Sequence, residues 1–286
     1  MSSATELPIW VQLGPGLHRG ITDHQYHLEC NTLASQSVLK PLANGKSPAH
    51  VRDKMVNPTP STPAMQLGSA FHALLLCNGW HQRVYQAPSN DRRTKMYKEL
   101  AESIAGSMPA DGMIMTPDEV EQLKDMVCAV RNCHAAFWPI KTAIENPAEN
   151  YIEAMGLWKV ITDQDINTNV PQAGDAEWPI WCKFKPDVFL PERGIVVDIK
   201  TTQDAERKEF EKSIFNFGYH LQAGFYFEGL RRLGFEPDLY LIVAVEKEPP
   251  YGVKVYNLDP DVIDFGWRDE DALALPADQS SSGDTR

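Results

Sequence analysis

At 286 residues and a formal net charge of −12, the chain lacks the basic balance of a protein that binds nucleic acid tightly and without discrimination as a monomer. Nothing approaches the roughly 20 apolar residues of a membrane helix, and the start MSSATELPIW lacks the basic and apolar regions of a secretory leader, so a cytoplasmic protein with no membrane partner is expected. Five scattered cysteines, odd in number, read as free thiols of a reducing compartment.

In chain order, residues 1–63 are rich in Pro, His and turn residues, with short helices at Ser35–Leu42 and Ala49–Lys54 and a Pro-rich linker from Asn57 to Pro63. They read as an irregular wrapper of the following domain. Residues 64–260 form the predicted core. Its first part is helical. The apolar run Leu67–Leu76 carries His72, a basic stretch follows from Arg92 to Ile104, and a helix is predicted from Thr116 to Phe137, with Thr116 and Glu119 as a capping box.

The second part alternates as a sheet should. Strands are predicted at Ile152–Thr162, Ile180–Leu190, Gly194–Thr201, Asp238–Glu246 and Tyr251–Leu258, with a helix over Phe217–Leu233 between the third and fourth. Residues 261–286 read as an acidic tail with a disordered end.

The chemistry concentrates in two neighbouring stretches, Lys185-Pro186-Asp187 and Val196-Val197-Asp198-Ile199-Lys200. Strand alternation places Asp198 and Lys200 on one face with Ile199 on the other. Pro191-Glu192-Arg193-Gly194 reads as a turn, so a hairpin brings Asp187 toward Asp198 and Lys200. Two carboxylates on one sheet face are costly unless a cation lies between them, and hard oxygen ligands suit a divalent ion such as Mg²⁺. Such an ion polarises a phosphoryl oxygen and acidifies an attacking water. A lysine beside that water can orient or deprotonate it, or offset charge on the phosphate.

His72, on its apolar helix, is by residue type more often a satisfied core histidine than a ligand. Gln222 and Tyr226, four residues apart, share one helix face and can both donate to a phosphate oxygen. Glu153 is a further acidic candidate on a predicted strand. The run Arg92-Arg93-Thr94-Lys95-Met96-Tyr97-Lys98 is the densest basic segment, and Arg92, Arg93 and Lys95 are candidate DNA contacts or a solvated helix face.

Asp187, Asp198 and Lys200 match the PD-(D/E)xK nuclease pattern. The ordered set GITDHQYH, KSPAHVRDK, MQLGSAFHALLL, KPDVF, VVDIKTT, YHLQAGFY and LIVAVEKEPPYGVKVYNLD resembles the nuclease domain of exodeoxyribonuclease VIII and its phage and prophage relatives, from about Gly14 to about Asp259. The resemblance implies an α/β fold: a central mixed β-sheet flanked by helices, with helical N-terminal additions. It maps the metal ligands onto His72, Asp187 and Asp198, the lysine onto Lys200, and two further site residues onto Gln222 and Tyr226, with Glu153 behind them. Many relatives carry Glu where Asp198 stands.

The resemblance also implies Mg²⁺ as cofactor, with Mn²⁺ substituting. With no cysteine after Cys182, the iron-sulfur cluster of some related nucleases is not expected. The implied activity is 5′-to-3′ digestion of one strand at double-stranded DNA ends. The implied assembly is a homo-oligomeric ring, a tetramer, working beside a single-strand annealing protein. A structure- or site-specific endonuclease with the same core, and a catalytically silent DNA-binding module, are the alternatives.

Overall fold

The computed structural model describes residues 8–57, 61–76, 83–104, 106–109, 111–159 and 181–271. Parts of the Pro-rich linker, Cys77, the predicted strand ends at 160–162 and 180, and residues 272–286 of the tail lie outside them.

The N-terminal region contains α1 (Ile9–Leu13), β1 (Gly16–His18), a π-helical turn at Gln25–Glu29, α2 (Gln36–Ala43) and α3 (Pro48–Val56). A helical layer follows: α4 (Pro63–Leu76), β2 (Val84–Gln86), α5 (Lys95–Ile104), β3 (Met113–Met115), α6 (Pro117–Asn132) and α7 (His134–Glu145). The sheet region is β4 (Tyr151–Ile152), β5 (Met155–Lys159), β6 (Trp181–Phe184), β7 (Val188–Leu190) and β8 (Ile195–Thr202). It continues with α8 (Arg207–Asn216), α9 (Tyr219–Arg232), β9 (Leu239–Glu246), β10 (Val253–Asn257) and α10 (Pro260–Asp271).

The central sheet has five strands in the order β10-β9-β8-β7-β4. The β8–β9 pair is parallel and the other pairs antiparallel, so the predicted mixed sheet is present. Alternation sorts its two faces. Val188, Leu190, Ile195, Val197, Ile199, Val243 and Val245 pack under α4, α6 and α7. Phe189, Val196, Tyr240, Ile242 and Ala244 pack under α8 and α9. Asp198 and Lys200 share the parity of Val196 and so fall on the α9 face. The β7–β8 hairpin turns through Pro191–Arg193, and Gly194 adopts φ 62°, where a Cβ would stand 2.8 Å from the Glu236 carbonyl oxygen.

Several predicted elements divide. The helix expected from Thr116 to Phe137 breaks at Cys133, whose backbone is extended (φ −89°, ψ 99°) and caps α6 and α7 together. Extended angles suit any residue, so no Gly or Pro marks this break. The strand expected over Ile152–Thr162 turns at Glu153, which has φ 46°. The strand expected over Ile180–Leu190 splits at Lys185-Pro186, because a proline offers no N–H to a ladder. Its first half, β6, pairs with β5 in a separate three-stranded sheet with β1, and its second half, β7, joins the main sheet.

The helix expected from Phe217 begins at Tyr219. Gly218, with φ 69°, separates it from α8, which sequence reading did not foresee. The core also runs past residue 260. Helix α10 lies against α9, Ile263 is buried, and Gly266 sits so close to the His220 backbone that a Cβ would meet its oxygen at 2.2 Å. Among the described residues no helix is long and apolar enough to cross a membrane.

Candidate active site

Strand β8 carries Asp198 and Lys200 to the edge of a pocket of about 230 Å³, and the loop before β7 brings Asp187 there. Helix α4 contributes His72, and α9 contributes Gln222 and Tyr226. All six predicted residues therefore line one cavity, together with Glu153.

Each polar side chain is held. Asp187 Oδ2 accepts from the Ile199 N–H at 2.6 Å, while its Oδ1 faces His72 Nδ1 at 3.2 Å. The other ring nitrogen of His72 lies 3.1 Å from the Ile199 carbonyl oxygen. With an oxygen acceptor opposite each nitrogen, the imidazolium is the form that satisfies both. Asp198 Oδ1 accepts from Gln222 Nε2 at 2.8 Å, and its Oδ2 stands 2.7 Å from the Lys200 ammonium, in an ion pair without hydrogen-bond angles. Lys200 also donates to Gln222 Oε1 at 3.2 Å and sits 4.9 Å over the Tyr219 ring. Gln222 thus uses both ends of its amide, one on the carboxylate and one on the lysine. Tyr226 is turned to donate to the Lys185 carbonyl at 3.2 Å, bracing the residue that precedes Pro186.

The electrostatics follow from burial among opposed charges. Burial disfavours a charged His72, but Asp187 outweighs it and lifts the imidazole to about 9. Burial likewise works against ionised Asp187, yet His72, Lys200 and the Ile199 N–H hold it below the usual carboxylate range. Asp198 goes the other way. Burial, reinforced by the Asp187 charge, raises it despite Lys200. Burial opposes the Lys200 charge, but Asp198 and Asp187 more than restore it, so the lysine is an ammonium. In this arrangement it orients and neutralises.

Among the described residues, no three His, Cys, Asp or Glu side chains are already spaced as a metal cage, because these groups close on one another and on Lys200. The donor set still fits a hard divalent cation. Two carboxylates share one small polar cavity, and Asp198 is the group whose charge is least compensated.

Sequence reading missed the pocket's far wall. Asp23, from the N-terminal region, pairs with Lys185 at 2.5 Å and with Arg83. Arg83 extends the network to Asp111 at 2.9 Å and to Glu153 at 3.8 Å. Tyr26 and His27 on the π-helical turn complete this side. These pairs join residues as far as 162 positions apart, so no local spacing announces them. Glu153 thus takes part in the Arg83 network while lining the cavity.

Arg92, Arg93 and Lys95 do not line the pocket. Arg92 Nη2 donates to both carboxylate oxygens of Glu119 at 2.7 and 2.8 Å, Arg93 pairs with Asp91 at 3.0 Å, and Lys95 with Glu99 at 3.3 Å.

Residues 35–271 match the family described as a PDDEXK-like domain of unknown function. Among solved structures, a protein from Eubacterium rectale described as a "putative exonuclease" superposes with a TM-score of 0.53 at 13% identity, over 92% of this chain and 91% of that one. At that identity the likeness is one of fold. A second, SSO0001, reaches a TM-score of only 0.28 at 13% identity, over 85% of this chain and 87% of that one, and carries no argument. No curated protein matches by sequence.

Proposed function

The chain belongs to the PDDEXK-like family, and on that premise we propose that it is a divalent-metal-dependent nuclease that digests one strand of double-stranded DNA from its 5′ end, leaving 3′ single-stranded overhangs. The observation that carries the nuclease reading is the convergence of Asp187, Asp198, Lys200 and Gln222 on one cavity, from the β7–β8 hairpin and helix α9. Strand polarity and the recombination role rest on the resemblance to exodeoxyribonuclease VIII. Mg²⁺ is the proposed ion, with Mn²⁺ as substitute. The working form is a homo-oligomeric ring, a tetramer, passing its product to a single-strand annealing protein. The free thiols Cys30, Cys128 and Cys133 suit a reducing cytoplasm.

Asp187 and Asp198 would hold the ion, and His72 beside them could share it only after giving up its proton to solvent and its hold on Asp187. When bound, the ion supplies a polarised phosphoryl oxygen and a more acidic water. The chain's own groups do the rest. Lys200 presents an ammonium to the charge that grows on the phosphate, in a cavity where a fixed charge is worth more than in water. Gln222 fixes both Lys200 and Asp198, so the cation and the carboxylate cannot drift apart. Tyr226 anchors the backbone at Lys185, which keeps Asp187 at its post.

Linear duplexes labelled at the 5′ or the 3′ end, and a covalently closed circle, test the reading when incubated with Mg²⁺. Early release of 5′ label with the circle intact is the expected result. Cleavage of the circle would convert the assignment to an endonuclease, and no cleavage of any substrate would overturn it.

A further inference from the structure

The helices α2 and α3 enclose an open groove of about 470 Å³ lined by Lys40, Asn44, Lys46, His50 and Lys54. In a chain of net charge −12, this concentration of cations calls for a reason. Among the described residues, none of the three lysines forms an ion pair with a carboxylate. Lys40 donates instead to the backbone carbonyls of Phe217 at 2.8 Å and Asn216 at 3.4 Å, and Lys54 to that of Ser37. Asp53, on the same helix, is turned to Asn57 at 2.9 Å. The acids of the neighbouring α8 are engaged elsewhere: Glu209 with Lys212, Glu211 with Arg207, and Glu206 with Lys254. Burial, and for Lys40 also the nearby Lys54, lowers both amines from their ordinary value, as expected of cations gathered without an anion.

A second observation comes from the turn that Lys40 holds. Phe215 and Phe217, at the junction of α8 and α9, are 55% and 59% exposed. The Phe217 ring lies 5.8 Å from that of Tyr219, and the Tyr219 ring lies 4.9 Å from Lys200 Nζ. Cations, exposed rings and the catalytic lysine thus form one connected path from groove to pocket.

We propose that the α2–α3 groove and the exposed ring of Phe217 form a track for single-stranded nucleic acid, phosphates on Lys40, Lys46 and Lys54 and an unpaired base on Phe217, leading to or from the catalytic pocket. Unpaired cations fit a polyphosphate backbone, and an exposed aromatic ring fits an unstacked base, which a duplex does not offer. The path into the pocket favours a substrate strand over a second copy of this chain. The proposal rests on the nuclease reading for its purpose, but its test does not require turnover.

The experiment measures fluorescence anisotropy of a labelled single-stranded 20-mer DNA in EDTA, over a salt series, for the full chain. Lys46→Ala/Lys54→Ala should weaken binding about tenfold and flatten the slope of log Kd against log salt by about 1.4, the value for two phosphate contacts on a single strand. Phe217→Ala should weaken binding about fivefold with no change in slope, since stacking is uncharged. Lys54 also braces α2 against α3, so Lys46→Glu, at an exposed position, serves as the variant whose folding is not in question. Lys141→Glu on α7, across the sheet from the groove, should change nothing. Unchanged affinity in Lys46→Glu and Phe217→Ala would overturn the track, as would a shift in oligomeric state by light scattering with DNA affinity intact, which would make the groove a contact between copies. Groove-dependent binding with no cleavage in Mg²⁺ would uphold the track and overturn the nuclease reading alone.

Discussion

Helix α5 with its approach and the pocket at β8 are both rich in charge, yet they hold it in opposite ways. Around α5, Arg92, Arg93 and Lys95 each meet one acidic neighbour close in sequence or at the next helix cap, and two of them are in full contact with water: Arg93 is 91% exposed and Lys95 88%. In the pocket each charge touches several partners drawn from three elements, and Asp198 is only 2% exposed. An exposed pair adds little because water screens it and side-chain freedom opposes it. A buried charge with several partners cannot be removed without stranding the others. A count of basic residues therefore locates neither a binding surface nor a catalytic one. What matters is whether a cation's partners are already supplied.

The contrast breaks first, if at all, at the two aspartates. Asp187→Ala or Asp198→Ala should lower DNA cleavage in Mg²⁺ by on the order of 10³-fold or more, with circular dichroism showing the fold retained. Wild-type cleavage by either variant would remove the pocket from the chemistry. Next comes Lys200→Ala, which should cost at least roughly 100-fold in rate while changing DNA affinity far less. Lys200→Arg should not restore the rate, since a planar guanidinium cannot replace an ammonium seated between Asp198 and Gln222. Equal losses in binding and rate would reduce Lys200 to a phosphate anchor.

Lys183 sharpens the comparison from a third direction. It is 3% exposed on β6, donates to the Tyr26 carbonyl, and stands 4.4 Å over the Tyr26 ring. Burial pushes this amine down to about 8, with Cys30 opposing only weakly. A depressed amine binds fewer protons when folded than when unfolded, so it should make stability rise with pH from about 8 toward the unfolded value of 10.5. His72, raised to about 9, works the other way at lower pH. The difference between wild type and Lys183→Met isolates the lysine. In urea titrations it should change by on the order of 2 kcal/mol across the Lys183 window, and a flat difference would place Lys183 in contact with solvent.

The smallest effect belongs to the α5 region. Arg93→Ala and Lys95→Ala should each shift stability by less than about 0.5 kcal/mol and DNA affinity by less than about twofold. A tenfold loss of affinity at either position would restore that helix as a DNA contact. Arg92 differs in degree, since its partner Glu119 also closes the α6 capping box through the Thr116 N–H at 2.8 Å.

The legible part of this protein was what neighbouring residues decide. The β7–β8 hairpin could be read because a β-branched run, a Pro-to-Gly turn and two acids lie within 14 residues, Asp187 to Lys200. The α6 cap could be read because Thr116 and Glu119 are three apart. The resemblance assigned Gln222 to the site, but not its pairing with Asp198 and Lys200, which joins a helix to a strand. The Asp23, Arg83 and Lys185 network was not legible at all, since its members come from three distant segments. The breaks at Cys133 and Glu153 escaped for a different reason. Both residues adopt backbone angles that their residue types do not announce, and the second donates its N–H to the Asp187 carbonyl at 3.0 Å.

The parallel pairing of β8 with β9 has a consequence for how the molecule comes to exist. The hairpin that carries Asp187, Asp198 and Lys200 closes over a few residues, whereas β9 can join only after the chain between Thr202 and Leu239 has looped back with α8 and α9. Local closure is fast and distant closure slow. During refolding the two aspartates should therefore come together before Gln222 arrives to fix them. The antiparallel hairpin should show early amide protection in pulsed hydrogen exchange, and the amides of β9 late protection.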